Sequence, residues 1–295
     1  MKVLSEKWQR ENRSHKGKTR PVFCSYLSSA MNGLFLLGFL STALSAFTQP
    51  KLELLDSIPG KYTHFSVDNF GRIYLSNRDV MLQFSSSCDT LFSASLKQLQ
   101  PTSLESSKSF RTLVFDQERS VIHFFDNTLT DIHGQIDLFN YDIRQPWLVC
   151  ESFAGNTFWI LDVGTMRLIK MNEKLELVTQ TDNLATLFHN KTMPVQMVES
   201  NDRLYIAIPE AGVAVFDVFG TFIRMVPCKP ERISVVDKYL LVRTGTVVTA
   251  IETENFFDSG HSYVLPEGAT EFSFMHEKVY FLCEQALYVG RYKFE

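Results

Sequence analysis

Short apolar runs separated by polar turns alternate along most of this chain. The clearest example lies within residues 65–76, where Val67 ends one apolar run and Ile73, Tyr74 and Leu75 form the next. The intervening residues include Asp, Asn and Gly, which tolerate the positive φ angles of a tight hairpin turn. Because β-branched and aromatic residues favour buried strands, this stretch predicts a β-hairpin.

The same pattern recurs in five weaker copies. The first apolar residues after the six turns are Ile73, Val121, Phe158, Leu204, Tyr239 and Val279. Their separations are 48, 37, 46, 35 and 40 residues. A period of about 40–45 residues is typical of propeller blades with four strands each. The spacing therefore predicts an all-β fold, a six-bladed β-propeller that occupies residues 47–295.

The two ends of this region predict how the ring closes. The last repeat offers a hairpin at 272–283 and a strand at 286–289, which leaves it one strand short. Residues 51–58 form an unassigned strand candidate, and pairing it with the last blade would hide two exposed strand edges. We therefore expect an N-terminal strand to complete blade six. We also expect a long loop at 96–109 and a short helix within 181–193.

Residues 1–46 have the composition of a secretory signal. A basic leader at 2–20 precedes an apolar run at 33–40, and small residues follow at 41–46. The apolar run is short for a membrane span, which needs about 20 residues. The sequence predicts a cleaved signal peptide at 1–46 and a mature protein that does not span a membrane. An uncleaved anchor and a buried apolar segment remain alternatives.

Cysteine spacing and net charge indicate the state of the thiols and the kind of partner that the protein can bind. The four cysteines after residue 46 are far apart and form no CxxC pair, so we expect free thiols, although pairing remains open. The whole chain has a formal net charge of -4, yet residues 1–46 hold seven Lys or Arg against two Asp or Glu. The remainder has 22 basic and 31 acidic side chains. Such an acidic body repels phosphate backbones, so we expect no nucleic-acid partner.

The sequence contains no recognisable catalytic, metal-binding or phosphate-binding motif. There is no HExxH, no zinc-type Cys/His cluster, no GxSxG and no glycine-rich phosphate loop. The turn at 68–71 lacks the carboxylate series of a calcium loop. We therefore predict no catalytic residue, no metal, no cofactor and no enzymatic activity.

Aromatic residues beside two predicted turns suggest a different kind of site. Phe219 lies in the turn at 217–220 and Phe222 follows that turn, and Phe256 and Phe257 lie in a second turn. Exposed aromatics often mark surfaces that bind other proteins. These four residues are our candidates for partner binding, and packing against the neighbouring blade is the alternative.

The repeats resemble six-bladed propellers of the NHL type, whose units read Asp-x-x-Gly-x-Ile-Tyr-Val before a second hairpin. Residues 68–75 match that unit and the pattern recurs in residues 203–223, whereas repeats two, five and six depart from it. The segments FSVDNFGRIYLSN (65–77) and VFDVFGTFIRMVP (215–227) are also similar to a group of exported propellers widespread in Bacteroidetes.

This resemblance covers residues 51–295 and implies a periplasmic, non-enzymatic protein that binds a protein partner. One role that it suggests is sealing the periplasmic end of the type nine secretion translocon, with the outer-membrane channel as the partner. A propeller that binds a small ligand or glycan is an alternative. A propeller hydrolase or lyase, with a metal held in its central channel, is a further one.

Overall fold

Six four-stranded antiparallel sheets make up the described part of the chain. The computed structural model describes residues 51–97, 99–106, 110–152, 156–188 and 192–293. The predicted signal peptide at 1–46 lies outside these residues. Among them, no helix is sufficiently long and apolar to cross a membrane.

Each sheet is one blade, and its first strand is the innermost. The N-terminal strand β1 (Lys51–Pro59) belongs to the last blade. Blades one to three consist of β2 (His64–Val67), β3 (Ile73–Ser76), β4 (Val80–Phe84) and β5 (Thr90–Ser95); β6 (Ser103–Glu105), β7 (Arg111–Asp116), β8 (Val121–Asp126) and β9 (Ile136–Asp137); and β10 (Pro146–Glu151), β11 (Thr157–Asp162), β12 (Arg167–Asn172) and β13 (Leu177–Gln180). Blades four to six consist of β14 (Gln196–Ser200), β15 (Arg203–Ile208), β16 (Gly212–Asp217) and β17 (Phe222–Val226); β18 (Arg232–Val236), β19 (Tyr239–Thr244), β20 (Val247–Glu252) and β21 (Asp258–Val264); and β22 (Glu271–Met275), β23 (Lys278–Leu282) and β24 (Ala286–Lys293) with β1.

The predicted six-bladed propeller and its closure are confirmed. Strand β1 pairs antiparallel with β24, from Lys51 opposite Lys293 to Pro59 opposite Ala286. The final blade therefore combines three strands from the end of the chain with one from the start of the described region. This pairing gives the outer edge of β24 a hydrogen-bonded neighbour.

The hydrophobic core is divided into layers between neighbouring blades. One cluster joins Phe124 of blade two to Phe158 of blade three, and another joins Trp159 of blade three to Phe216 of blade four. Equivalent clusters lie between the other adjacent pairs of blades, including blades six and one. A single blade cannot bury both of its faces, so the stacked layers provide the main stabilisation.

Blade two differs from the sequence-based prediction. Val121 begins the third strand of its blade, whereas Ile73, Phe158, Leu204, Tyr239 and Val279 lie at or near the start of a second strand. The true second strand of blade two begins at Arg111, and its first strand, β6, lies inside the segment that we expected to be a loop. The predicted helix is only a 3₁₀ turn at Ala185–Phe188. Strand β6 has three residues, too few for its alternating pattern to stand out.

A glycine at the start of β16 offers a test of blade packing. Gly212 has φ 128°, and a Cβ added there would clash with the backbone oxygen of Val226 on β17. We expect Gly212→Ala to lower the free energy of unfolding by more than about 1–3 kcal/mol, because the steric clash adds to the backbone strain that a positive φ causes in alanine. The matched control is Gly245→Ala, where φ is 61° and the added Cβ meets open space. Urea unfolding that ranks the two variants equally would contradict the prediction.

Among the described residues, Cys88, Cys228 and Cys283 are free thiols, as predicted. Burial raises the pKa of Cys228 to about 11. We expect iodoacetamide at pH 8 to alkylate Cys228 about a hundredfold more slowly in the folded protein than in urea, because only the thiolate reacts. The rate in the folded protein should increase up to about pH 11, following the raised pKa. Mass spectrometry of the Cys228 peptide measures both rates, and equal rates would show that the thiol is not buried.

Candidate functional site

A central channel runs between the first strands of the six blades. Strands β2, β6, β10, β14, β18 and β22 surround a cavity of about 260 Å³. Its walls include serines from four blades, namely Ser66, Ser103, Ser234 and Ser273. Arg232, Gln196, Glu271 and His64 also line it. The channel is therefore mixed in polarity rather than a continuation of the apolar core.

The inner edges of these first strands have no neighbouring strand, so their N–H groups need other acceptors. Side chains of the preceding blade provide several of them. The Ile233 N–H donates to Gln196 Oε1 at 2.8 Å, and the Glu151 N–H donates to Glu105 Oε2 at 2.8 Å. The Phe65 N–H donates to Glu271 Oε2 at 3.3 Å. These carboxylate and amide oxygens thus join neighbouring blades around the channel wall.

His64 lies at one mouth of the channel, between two acceptors. Its Nδ1 is 3.1 Å from Glu271 Oε1, and its Nε2 is 3.1 Å from the backbone oxygen of Pro101. These two contacts link blade six, blade one and the connection to blade two. Among the described residues, no three His, Cys, Asp or Glu side chains form a group that could hold a metal ion. The geometry indicates a structural role for this histidine.

The two ends of the channel open on different faces of the propeller. Because strands within a blade are antiparallel, turns that join strands one to two and three to four lie on one face, here called the turn face. The other turns and the links between blades form the connection face. Contacts between blades agree with this assignment, since Asn201 of blade four donates a hydrogen bond to the Asp237 oxygen of blade five across two turns of the turn face.

The turn face exposes large aromatic side chains. Phe70, Phe110, Phe219 and Phe257 all lie in its turns, and each is between 62% and 74% exposed. In the described part of the connection face, Phe139 is the phenylalanine with comparable exposure. Exposed phenylalanines on the described chain are therefore concentrated on one face.

Phe70 and Phe110 form a contact across two blades, which we call the phenylalanine pair. Their ring centroids are 5.5 Å apart at an angle of 35°. The Arg72 guanidinium lies 5.4 Å from the Phe70 centroid, and its Nε donates to Asp68 Oδ2 at 2.6 Å. Both phenylalanines remain exposed despite these contacts. The sequence pattern does not indicate this pair, because 40 residues separate its members.

The four predicted partner-binding residues have different environments. Phe219 and Phe257 are strongly exposed on the turn face. Phe222 is less exposed and packs edge-on against Phe216, with centroids 5.5 Å apart. Phe256 is half-buried against blade four, where Arg203 and Arg224 lie 5.2 and 5.0 Å from its ring. The structure does not bring the four together into one cluster, and their role in partner binding stays a prediction.

Charge also distinguishes the two faces. The described turns of the turn face contain eight exposed acidic residues, namely Asp89, Asp131, Glu173, Glu176, Asp202, Asp237, Glu254 and Glu277, and two exposed lysines, Lys174 and Lys238. The described turns and links of the connection face hold eight exposed acidic and six exposed basic residues. The turn face therefore combines aromatic groups with an excess of negative charge.

Comparison with known proteins identifies the fold and no family. No family model matches the sequence, and no curated protein matches it. The structure is similar to the WD40 domain of Neurospora crassa Pan2, with TM-score 0.59 and 8% identity over 84% of this chain and 97% of that one. For virginiamycin B lyase from Staphylococcus aureus the TM-score is 0.54 and the identity 12%, over 82% of this chain and 99% of that one. For BBS1N in complex with ARL6DN the TM-score is 0.52 and the identity 11%, over 76% of each chain. The chain has the β-propeller fold.

Proposed function

We propose that this propeller is a protein-binding module that uses its turn face. The observation that carries the proposal is the concentration of exposed phenylalanines on that face. Contiguous exposed apolar groups on a soluble surface usually mark an interaction site, and aromatic residues are enriched among binding hot spots. A similar structure, BBS1N, is in complex with ARL6DN, so a propeller binds a protein there.

The proposed location is the periplasm, and the proposed partner is an outer-membrane translocon channel. Support comes from the basic and apolar composition of residues 1–46 and from the resemblance to exported propellers. In this proposal the signal peptide is removed, and the mature propeller covers the periplasmic end of the type nine secretion channel.

Site-specific photocrosslinking in the native organism tests this function. A photoreactive residue replaces Asn69 on the turn face or, as the matched control, Arg78 on the connection face; both side chains are exposed. We expect the turn-face probe to crosslink an outer-membrane channel, identified by mass spectrometry, and the control probe to do so far less. N-terminal sequencing of the same material tests cleavage near residue 46. Crosslinking that is equal from both faces, or absent from both, would reject the proposal.

The polar side chains that line the channel favour a second candidate, the binding of a small polar ligand. Ser103 Oγ is buried in its wall without a hydrogen-bond partner among the described residues. Thermal-shift measurements with mono- and disaccharides test this function. A ligand that raises Tm for the unmodified protein but not for Ser103→Val would support it, and the absence of any shift would exclude these sugars.

A further inference from the structure

Among the described residues, the turns nearest the channel on the turn face carry apolar side chains on one side and acidic side chains on the other. Blades one and two contribute the phenylalanine pair, Phe70 and Phe110. Blades four, five and six contribute Asp202, Asp237 and Glu277, here called the acidic arc, which lie in the turns between first and second strands. We propose that this mouth binds a protein segment with a large apolar side chain next to several Lys or Arg residues. The inference rests on the proposed protein-binding function and names its partner chemistry.

The phenylalanine pair provides an anchor that is held in place before binding. The rings contact each other across the blade boundary, and Asp68 fixes Arg72, which flanks Phe70. Asp68 also accepts from the backbone N–H groups of Phe70 and Arg72, both at 2.9 Å, which fixes the turn. Since an ordered side chain loses little conformational freedom on binding, the pair suits an apolar contact.

The acidic arc defines the charge of the partner. Among the described residues, none of its three carboxylates forms an ion pair, and the neighbouring Lys238 lies 3.9 Å from Glu252 instead. All three acidic residues are exposed. Opposite charge favours association and like charge opposes it, so the arc selects a basic segment. A second copy in face-to-face contact would place two acidic faces together, and nucleic acid would bring further negative charge.

Synthetic peptides test this chemistry even before a partner is identified. The first probe alternates arginine with leucine and phenylalanine. The second replaces each arginine with glutamate, and the third replaces each leucine and phenylalanine with serine. Fluorescence anisotropy measures their binding to the full chain at low and high ionic strength. We expect the first peptide to bind at least about tenfold more tightly than either of the others, and more weakly as salt is added.

Three variants locate the binding. The arc variant carries Asp202→Asn, Asp237→Asn and Glu277→Gln, and the pair variant carries Phe70→Ser and Phe110→Ser. The control carries Asp79→Asn, Glu118→Gln and Glu267→Gln, which neutralise exposed residues on the connection face. We expect the arc variant to lose affinity and salt dependence, the pair variant to lose affinity but keep salt dependence, and the control to match the unmodified chain.

The outcomes separate this inference from the proposed function. Tighter binding of the glutamate peptide, no preference among the three peptides, or loss of binding in the control alone overturns the inference. In each of these cases, photocrosslinking of a partner from residue 69 would still support the proposed function. Preferential binding of the first peptide without any crosslinked partner would support the surface chemistry and reject the assigned protein-binding role.

Discussion

Glu199→Ala is expected to lower the free energy of unfolding by about 3–5 kcal/mol, because it leaves a buried cation without its counter-charge. Glu199 lies on β14 of blade four and is fully buried. Its Oε2 accepts from Trp159 Nε1 at 2.5 Å and lies 3.5 Å from Lys170 Nζ, while its Oε1 accepts from the Ser152 hydroxyl at 2.8 Å. The donors belong to blade three, so this single carboxylate joins two blades.

Each donor adds to the expected cost. Lys170 is also buried, and its ammonium lies 4.8 Å from the centre of the Trp159 ring and 3.3 Å from the Val218 backbone oxygen. These two contacts remain in the alanine variant but do not neutralise the charge. An indole N–H and a hydroxyl also lose their acceptor, and a buried polar group without a partner costs about 1–3 kcal/mol.

Two further variants make the Glu199 test specific. Glu199→Gln keeps an oxygen acceptor but removes the charge. It should therefore lower the free energy of unfolding by less than Glu199→Ala does. Combining Glu199→Gln with Lys170→Met removes both charges, and we expect the double variant to be more stable than Glu199→Gln alone. Urea unfolding followed by tryptophan fluorescence and by circular dichroism provides the free energies. A loss below about 1 kcal/mol for Glu199→Ala would show that the charge pair contributes little.

The sequence predicts the blades better than the contacts between them. Ile73, Tyr239 and Val279 mark second strands because each follows a polar turn and begins an apolar run. These signals are local, since turn chemistry and alternation act over a few residues. In blade two the sequence of residues 106–110 contains serines and lysine but no Gly or Asn, and β6 is short. The stronger turn signal after Asp116 therefore led to Val121 being assigned to the second strand of the blade instead of the third.

The candidate site depends on longer distances along the chain. The adjacent residues Phe256 and Phe257 have the same local sequence signal, yet Phe256 contacts two arginines of blade four and Phe257 is exposed. Likewise, Phe70 forms the proposed apolar contact site only together with Phe110, which belongs to the next blade. A repeat predicts that such neighbours exist, but not which side chains meet. Packing between blades determines which side chains meet, and the residues in contact are about one repeat apart in the sequence.

Removal of residues 1–59 is expected to have the largest effect, because it opens the ring. The truncated chain would lose β1, which pairs with β24 along its length and buries Ile58 between blades six and one. It would expose the N–H and C=O groups of an edge strand of eight residues. We expect Tm to fall by more than about 10 °C and the protein to form oligomers through the exposed edge.

A peptide containing residues 51–59 provides the decisive complement. Added in excess, it should bind the open edge of β24, raise Tm and restore the monomer, because a ligand that binds only the folded state stabilises it by mass action. A peptide with Ile58→Ser should restore much less, since it cannot fill the layer between blades. The matched full-length control is Glu53→Gln, which removes the half-exposed ion pair with Arg291 at 2.9 Å and should cost less than about 1 kcal/mol.

Light scattering with size-exclusion chromatography and thermal unfolding measure these effects. If the truncated chain stayed monomeric and kept its Tm within about 2 °C, the other strands would close the ring without β1. If the truncated chain were destabilised but neither peptide restored it, the loss would come from some feature other than the β1–β24 pairing. Rescue by the unmodified peptide alone would show that the first described strand holds the two ends of the propeller together.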